Sequence, residues 1–224
     1  MRMQNGGFQV LETVMAKSRD PFFMALDGIR DRAQAGGYAG GRPIVIVDEA
    51  RRLGVSTTPV REALSWLCGE GLIERGPSGG FLAMRLDGGA VRDRYGFRLV
   101  CLLAGLDLTA GLPTYGRTPR RHGDPISELH ALFDELVRRT GNGALRRAYE
   151  RVRAQLRQLE DAERRMFEDA EAEADRLLNL ATEDRNGELR AALRDYHDRR
   201  GDAAAILSLG AARFLPESGS SDPQ

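Results

Sequence analysis

The sequence predicts a mainly α protein. An N-terminal winged helix-turn-helix, three helices plus a β-hairpin wing, is followed by an all-α helical bundle. Three observations predict this. Residues 54–80 read as a helix end, a tight turn, a second helix and a strand–turn–strand. From Ala90 onward, apolar residues recur at three- and four-residue spacing, the period of an amphipathic helix. At 224 residues the chain is long enough for two cores. The expected boundaries are an extension over 1–20, the winged helix over 21–86, the helical domain over 87–215 and a polar, disordered tail over 216–224.

The winged segment is read residue by residue. Gly54 follows a short helix over 48–53, where glycine adopts a left-handed cap at little cost. Ser56 and Thr57 offer side-chain oxygens to the free amides of the next helix, and Pro59 suits a first turn. Val60, Leu64 and Leu67 then form one apolar stripe, leaving Thr57, Thr58, Arg61 and Ser65 on the opposite side. Gly71 ends the helix. Leu72 to Arg75 and Phe81 to Arg85 read as strands joined by the turn Gly76-Pro77-Ser78-Gly79-Gly80. A helix so placed docks amino-terminus first into a DNA major groove. The candidate DNA-contacting residues are therefore Ser56, Thr57, Thr58, Arg61 and Ser65, with Arg42 and Arg51 nearby and Ser78 and Gly79 at the wing tip.

The run Val55-Ser56-Thr57-Thr58-Pro59-Val60-Arg61-Glu62-Ala63-Leu64, then Glu70-Gly71-Leu72-Ile73 and the glycine-rich wing, resembles the winged-helix domain of the GntR family of bacterial transcription regulators. The resemblance runs from about Phe22 to Arg85. It places Phe22, Leu26, Ile29 and Ala33 on a first helix and the loop from Gly36 to Pro43 before the second. Arg61 matches the family arginine at the start of the recognition helix. Three positions depart: Thr57 stands where an arginine is common, Val47 near another basic residue, and Glu49 where a leucine is usual. Losing two arginines removes candidate guanine contacts, each worth about 1–3 kcal/mol of discrimination, so the operator should differ from those of relatives. Trp66 falls where relatives are polar. Packing against the amino-terminal segment or the second domain is its favoured role, and a DNA contact the alternative.

Composition narrows the classes. Lys and Arg number 33 and Asp and Glu 33, so no overall field attracts nucleic acid, and non-specific DNA affinity should be modest and salt-sensitive. Arg42, Arg51, Arg52, Arg61, Arg75 and Arg85 are the local positive charges, diluted by Asp48, Glu49 and Glu62. The two cysteines, Cys68 and Cys101, form no C-x-x-C pair and read as buried free thiols in a reducing cytoplasm. The start of the chain has no apolar signal core, and the run from Phe97 to Leu112 is interrupted by Arg98 and Asp107. Neither a membrane partner nor export is expected.

In the second domain the pattern predicts helices over 90–108 and 126–139, broken at Gly141-Asn142-Gly143. A basic loop over 116–124 separates them. Leu145, Tyr149, Val152, Leu156 and Leu159 begin a long stripe that Glu163 interrupts and Met166, Ala170 and Leu177 resume. A bundle helix is favoured over a coiled coil, because the heptad run lasts barely two repeats. Helices over 188–200 and 202–214 are expected as an antiparallel pair around Gly201.

The order of these helices resembles the effector domain of the FadR-type (FCD-like) branch of the same family, with His130 and the break at Thr140-Gly141-Asn142 as its markers. Many such domains hold a divalent metal through an acidic residue and three histidines. Here Ile126 stands one turn before His130, His197 is displaced, and no histidine lies near Ala211, so no metal and no other cofactor is expected. Arg98 and His130, polar on apolar helices, are the candidate effector-binding residues for a small molecule such as an organic acid. Arg98 could equally pair with Asp107 or Asp134.

An enzyme is not expected. There is no G-x-S-x-G elbow, no phosphate-binding loop and no C-x-x-C pair. The only lysine, Lys17, lies upstream of the wing, and the carboxylates of 160–175 read as spread along a solvated face. The expected function is a cytoplasmic homodimeric transcription regulator, a repressor, that binds a palindromic operator and is modulated by an effector. The alternative is a ligand-independent architectural or protein-interaction module.

Overall fold

The computed structural model of the chain describes residues 20–111 and 123–212, which divide into two compact units at Arg85 and Leu86. The amino-terminal extension with Lys17, most of the basic loop and the polar tail lie outside the described residues.

The first unit begins with α1, Pro21–Gln34. The Asp20 carboxylate accepts the Phe22 N–H at 2.8 Å and Pro21 fills the first turn, where no N–H partner is needed. Helix α2, Ile46–Leu53, starts two residues before the expected Asp48, because Val45 is already extended and its carbonyl accepts the Asp48 and Glu49 N–H groups. Helix α3, Thr57–Glu70, follows with Ser56 at the cap position. Neither Ser56 nor Thr57 caps it through a side chain as expected, since Ser56 makes no side-chain cap bond and Thr57 is already helical. Both α2 and α3 end at a left-handed glycine, Gly54 and Gly71.

Val60, Ala63, Leu64 and Leu67 are fully buried along α3, and this face packs chiefly on Ala25, Leu26 and Ile29 of α1. Strands β1, Ile73–Arg75, and β2, Phe81–Ala83, pair antiparallel with Glu74 opposite Leu82. Both are shorter than expected. The Leu72 N–H bonds back to the Leu67 carbonyl to close α3, so pairing begins only at Ile73, whose partner is Ala83. On its other edge, β2 receives the loop before α2. Ile44 N–H donates to the Phe81 carbonyl at 2.8 Å and Ala83 N–H to the Arg42 carbonyl at 2.9 Å. Those bonds hold Arg42 at the base of the wing.

The second unit is built around α4, Gly88–Leu108, capped by Asp87 two residues earlier than expected. Helices α5, Pro125–Arg138, and α6, Gly143–Leu156, pack on it. Asp124 caps the first, and Asn142 caps the second through bonds to Ala144 and Leu145. The long stripe does not continue as one helix. After α6 come a 3₁₀ turn, Arg157–Leu159, then α7, Glu160–Met166, and, beyond extended Phe167, α8, Ala170–Thr182. The helix is interrupted at the 3₁₀ turn and again at Phe167, whose backbone is extended (φ −105°, ψ 91°), while Leu159, Phe167 and Ala170 all stay buried. A coiled coil is therefore excluded for this stretch.

Helices α9, Asn186–Asp202, and α10, Ala204–Ala212, complete the unit. The break falls at Ala203, not Gly201. Gly201 is helical, and its carbonyl accepts from Arg92 Nε at 3.3 Å. Instead of pairing closely with α9, α10 packs mainly on α4 and α7. Two apolar clusters result. One centres on Leu102, Leu129, Phe133, Leu193 and Tyr196, the other on Val91, Tyr95, Leu156, Leu159 and Leu207. Both cysteines are free thiols; Cys101 is buried as expected, whereas Cys68 is only half-buried. Among the described residues no helix is long and apolar enough to cross a membrane.

Burial separates the two faces of α3 energetically. Leu64→Ala is expected to cost about 2–5 kcal/mol in urea unfolding, from lost transfer energy plus a residual cavity. Thr58→Ala on the exposed side should change stability by about 0.5 kcal/mol or less. Equal costs would show that the stripe is not what holds α3.

Candidate nucleic-acid interface and the polar centre of the helical unit

All nine candidate DNA-contacting residues, Arg42, Arg51, Ser56, Thr57, Thr58, Arg61, Ser65, Ser78 and Gly79, are solvent-exposed. Thr58, Arg61 and Ser65 fall at i, i+3 and i+7 of α3 and so share one helix face. The arginines are not equivalent. Arg61 and Arg42 ion-pair with no carboxylate among the described residues, whereas Arg51 is held by Asp48 at 3.2 Å. Arg75 lies 4.5 Å over the Phe81 ring and donates to Ser65 Oγ at 3.0 Å, while Ser65 donates to the Arg61 carbonyl. Ser65 is thus a tie between α3 and the wing as well as a surface hydroxyl. Gly79 and Gly80 close the wing turn at positive φ, which keeps side-chain bulk away from its tip.

Arg52 and Glu49 are withdrawn from the surface electrostatics that composition suggested. Glu49 is only 3% exposed and takes Arg32 at 2.7 Å and Arg52 at 2.6 Å. A carboxylate occupies the place where the resemblance expects leucine, and two guanidinium groups compensate it. Trp66 remains 57% exposed. Its ring meets Phe22 of α1 edge-on at 6.1 Å and its indole N–H donates to Glu70, so it packs within its own unit.

In the helical unit the structure brings together residues that the sequence reading left apart. Glu163, which interrupts the apolar stripe, is buried. It accepts a short hydrogen bond from the Tyr95 hydroxyl and another from Arg200 Nε at 2.6 Å. Arg200, 2% exposed, also stacks 3.3 Å from the Tyr196 ring centroid and has Nη1 2.9 Å from Glu173 Oε2, close but not aligned for a hydrogen bond. The expectation that these carboxylates lie on a solvated face is wrong for Glu163 and Glu173. The signal was available: an acid at an apolar stripe position of one helix, and Arg200 continuing the stripe Leu189, Leu193, Tyr196 of another.

Arg98 is buried as well, and pairs with neither Asp107 nor Asp134. Asp107 is bound by Arg190, and Asp134 by Arg153 and the Tyr149 hydroxyl. Arg98 Nε donates to His197 Nε2 at 3.1 Å. The other His197 nitrogen faces the Leu193 carbonyl at 2.6 Å, so it carries the proton and donates. Arg98 Nη2 has no partner among the described residues. His130 lies 3.7 Å from Glu160, yet burial, reinforced by Arg98, lowers its pKa from 6.5 to about 4. Burial likewise drives His197 far down, again with help from Arg98, and burial raises Glu160. Both imidazoles are neutral near pH 7.

These residues do not fit a divalent metal. Both His197 nitrogens are engaged, and Arg98 and Arg200 put positive charge where an ion would need negative ligands. Arg98 and His130 do share a cavity, which also touches Glu163. Its volume is about 10 Å³, room for one water.

No protein-family model matches the chain, and no curated protein matches its sequence. Solved structures do resemble it. McbR/YncC of E. coli superposes with a TM-score of 0.58 at 16% identity, over 85% of this chain and 98% of that one. Lar, which controls the expression of the agr system of Listeria monocytogenes, gives 0.45 at 14% identity over 86% and 97%. A GntR-family transcriptional regulator from Pseudomonas syringae pv. tomato str. DC3000 gives 0.38 at 19% over 84% and 87%. The last two superpose too loosely to compare element by element. The first shares the fold, a winged helix followed by a helical bundle.

The depressed His130 pKa has a consequence with a definite sign. Between pH 6.5 and about 4 the unfolded chain binds a proton at this side chain that the folded chain does not, so stability falls as pH falls through that window. By pH 5 the loss from this group should reach up to about 2 kcal/mol. Urea unfolding of His130→Gln beside the parent at pH 7 and pH 5 should give a shallower pH dependence in the variant. Parallel slopes would mean that His130 does not contribute.

Proposed function

We propose that the chain is a sequence-specific DNA-binding transcription regulator of the GntR family, a repressor that reads a palindromic operator as a homodimer. The observation that carries this reading is the exposed face of α3. Arg61, without an ion-pair partner among the described residues, stands there beside Thr58 and Ser65, and the Arg75–Ser65 bond ties the wing to the same helix. The amino-terminal half of such a helix enters the major groove, and two copies read half-sites about 34 Å apart. Arg42, at the base of the wing, is suited to a phosphate, which would position the unit without reading sequence.

Homodimer formation is supported by α4, where Phe97, Val100 and Leu108 are 46%, 60% and 57% exposed along one stretch of helix. The acidic effector of this reading belongs to the helical unit, at Arg98 and His130. Nothing in the reading calls for a metal, a membrane or catalysis.

A second reading, an architectural or protein-interaction module that binds no ligand, is favoured by the small size of the helical-unit cavities and by the balanced charge. Fluorescence anisotropy on DNA from the region upstream of the coding sequence, against a scrambled duplex at two salt concentrations, separates the two. The regulator should prefer one duplex with an affinity of about 10⁻⁸ M or better. Equal, weak, salt-driven binding to both would favour the module.

On a preferred duplex, Arg61→Ala should lose about 1–3 kcal/mol per half-site with unchanged thermal stability. Retained operator affinity would sink the docking. Val100→Asp should halve the mass measured by light scattering. An unchanged mass would place the dimer contact elsewhere.

A further inference from the structure

Trp66, 57% exposed, is the most exposed large apolar side chain among the described residues of the winged unit. It is held in place all the same. Its indole N–H donates to Glu70 at 2.8 Å, Glu70 also takes Arg30 at 2.8 Å, and its ring stands edge-on to Phe22 of α1. Trp66 and Phe22 wall an open hollow of about 670 Å³ that Arg61, Glu62 and Ser65 complete, and its lining is mostly apolar. An apolar surface fixed in this way and open to water marks a contact site.

The occupant best placed to cover it is the chain's own amino-terminal segment. Residues 1–19 lead directly into Asp20, whose carboxylate accepts the Phe22 N–H at 2.8 Å. The segment is therefore delivered at the wall of the hollow. In its sequence Phe8, Leu11, Glu12 and Met15 fall at i, i+3, i+4 and i+7. That spacing sets three apolar side chains and the segment's only acid on one helix face. Arg61, on the rim, is a cation with no carboxylate paired to it among the described residues. The stretch from Met15 to Asp20 spans up to about 17 Å. A tether so short sets an effective concentration on the order of millimolar, so modest apolar contacts suffice.

We propose that residues 8–15 dock on the ledge formed by Phe22 and Trp66, with Phe8, Leu11 and Met15 against the aromatic rings and Glu12 at Arg61. The contact covers the face of α3 that carries Arg61 and Ser65, so the segment and a DNA duplex compete for it. The docking stands without the DNA-binding reading, and only the competition rests on it.

Trp66 is the only tryptophan, so the intrinsic fluorescence of the full-length protein, without DNA, reads this surface alone. Phe8→Asp and Leu11→Asp should shift its emission to the red and raise its quenching by acrylamide. Gln9→Asp, on the opposite side of the same spacing, should do neither. Glu12→Arg should act as Leu11→Asp does, and adding Arg61→Glu to it should restore the quenching of the parent. Equal quenching in the parent and both apolar-to-aspartate variants overturns the docking, as does an effect of Gln9→Asp as large as theirs. Protection of Trp66 that is lost on dilution would put the segment of a second copy on the ledge, and overturns the tethered contact. The charge swap keeps the test decisive if either apolar-to-aspartate variant fails to fold. On a duplex that the parent prefers, Leu11→Asp should bind more tightly than the parent, and unchanged or weaker affinity overturns the competition. If no duplex is preferred, the DNA-binding reading fails, while the fluorescence still decides the docking.

Discussion

A buried carboxylate must be met by a cation, and both units of this protein contain one that is. An ionised acid taken out of water unpaired costs several kcal/mol, more than the few contacts of a short helix return. Glu49 meets it with Arg32 and Arg52, which ties α2 to α1 in the winged unit. Glu163 meets it with Arg200 and Tyr95, which ties α7 to α9 and α4 in the helical unit. The pairing geometry in turn decides which arginines remain for anything else.

For the winged unit the outcome is a division of labour among six arginines that composition treats alike. Arg52 is bound to Glu49, Arg75 lies over Phe81 and bonds to Ser65, and Arg51 faces Asp48. Arg42, Arg61 and Arg85, all exposed, are left without such pairs among the described residues. A chain with no net charge can still leave single arginines unpaired at its surface, because charges pair locally. Glu49 is the example: read as diluting the surface charge, it is inside.

In the helical unit the same physics draws separate helices to one point. The Glu163–Arg200 pair, the Tyr95 hydroxyl and the Arg98–His197 bond link α7, α9 and α4. The aromatic rings of Tyr196, Phe133 and Tyr95 surround the guanidinium groups and offset part of the desolvation of Arg98 and Arg200. The interior is polar and closely filled at once.

Local sequence was enough for the order of elements, the α3 stripe at Val60, Leu64 and Leu67, the glycine stops at Gly54 and Gly71, and the exposed set around Arg61. Each of these depends on neighbours within one or two turns, where periodicity, caps and positive φ act. Tertiary structure alone decided the bends after Leu156, the break at Ala203, the partners of Arg98 and the burial of Glu49, Glu163 and Arg200. Glu163 and Arg200 are 37 residues apart, and Arg98 and His197 are 99 apart. A charged residue on an apolar stripe shows in sequence only as an interruption. Whether it turns to water or to a partner depends on which distant side chain the packed helices bring within hydrogen-bonding reach.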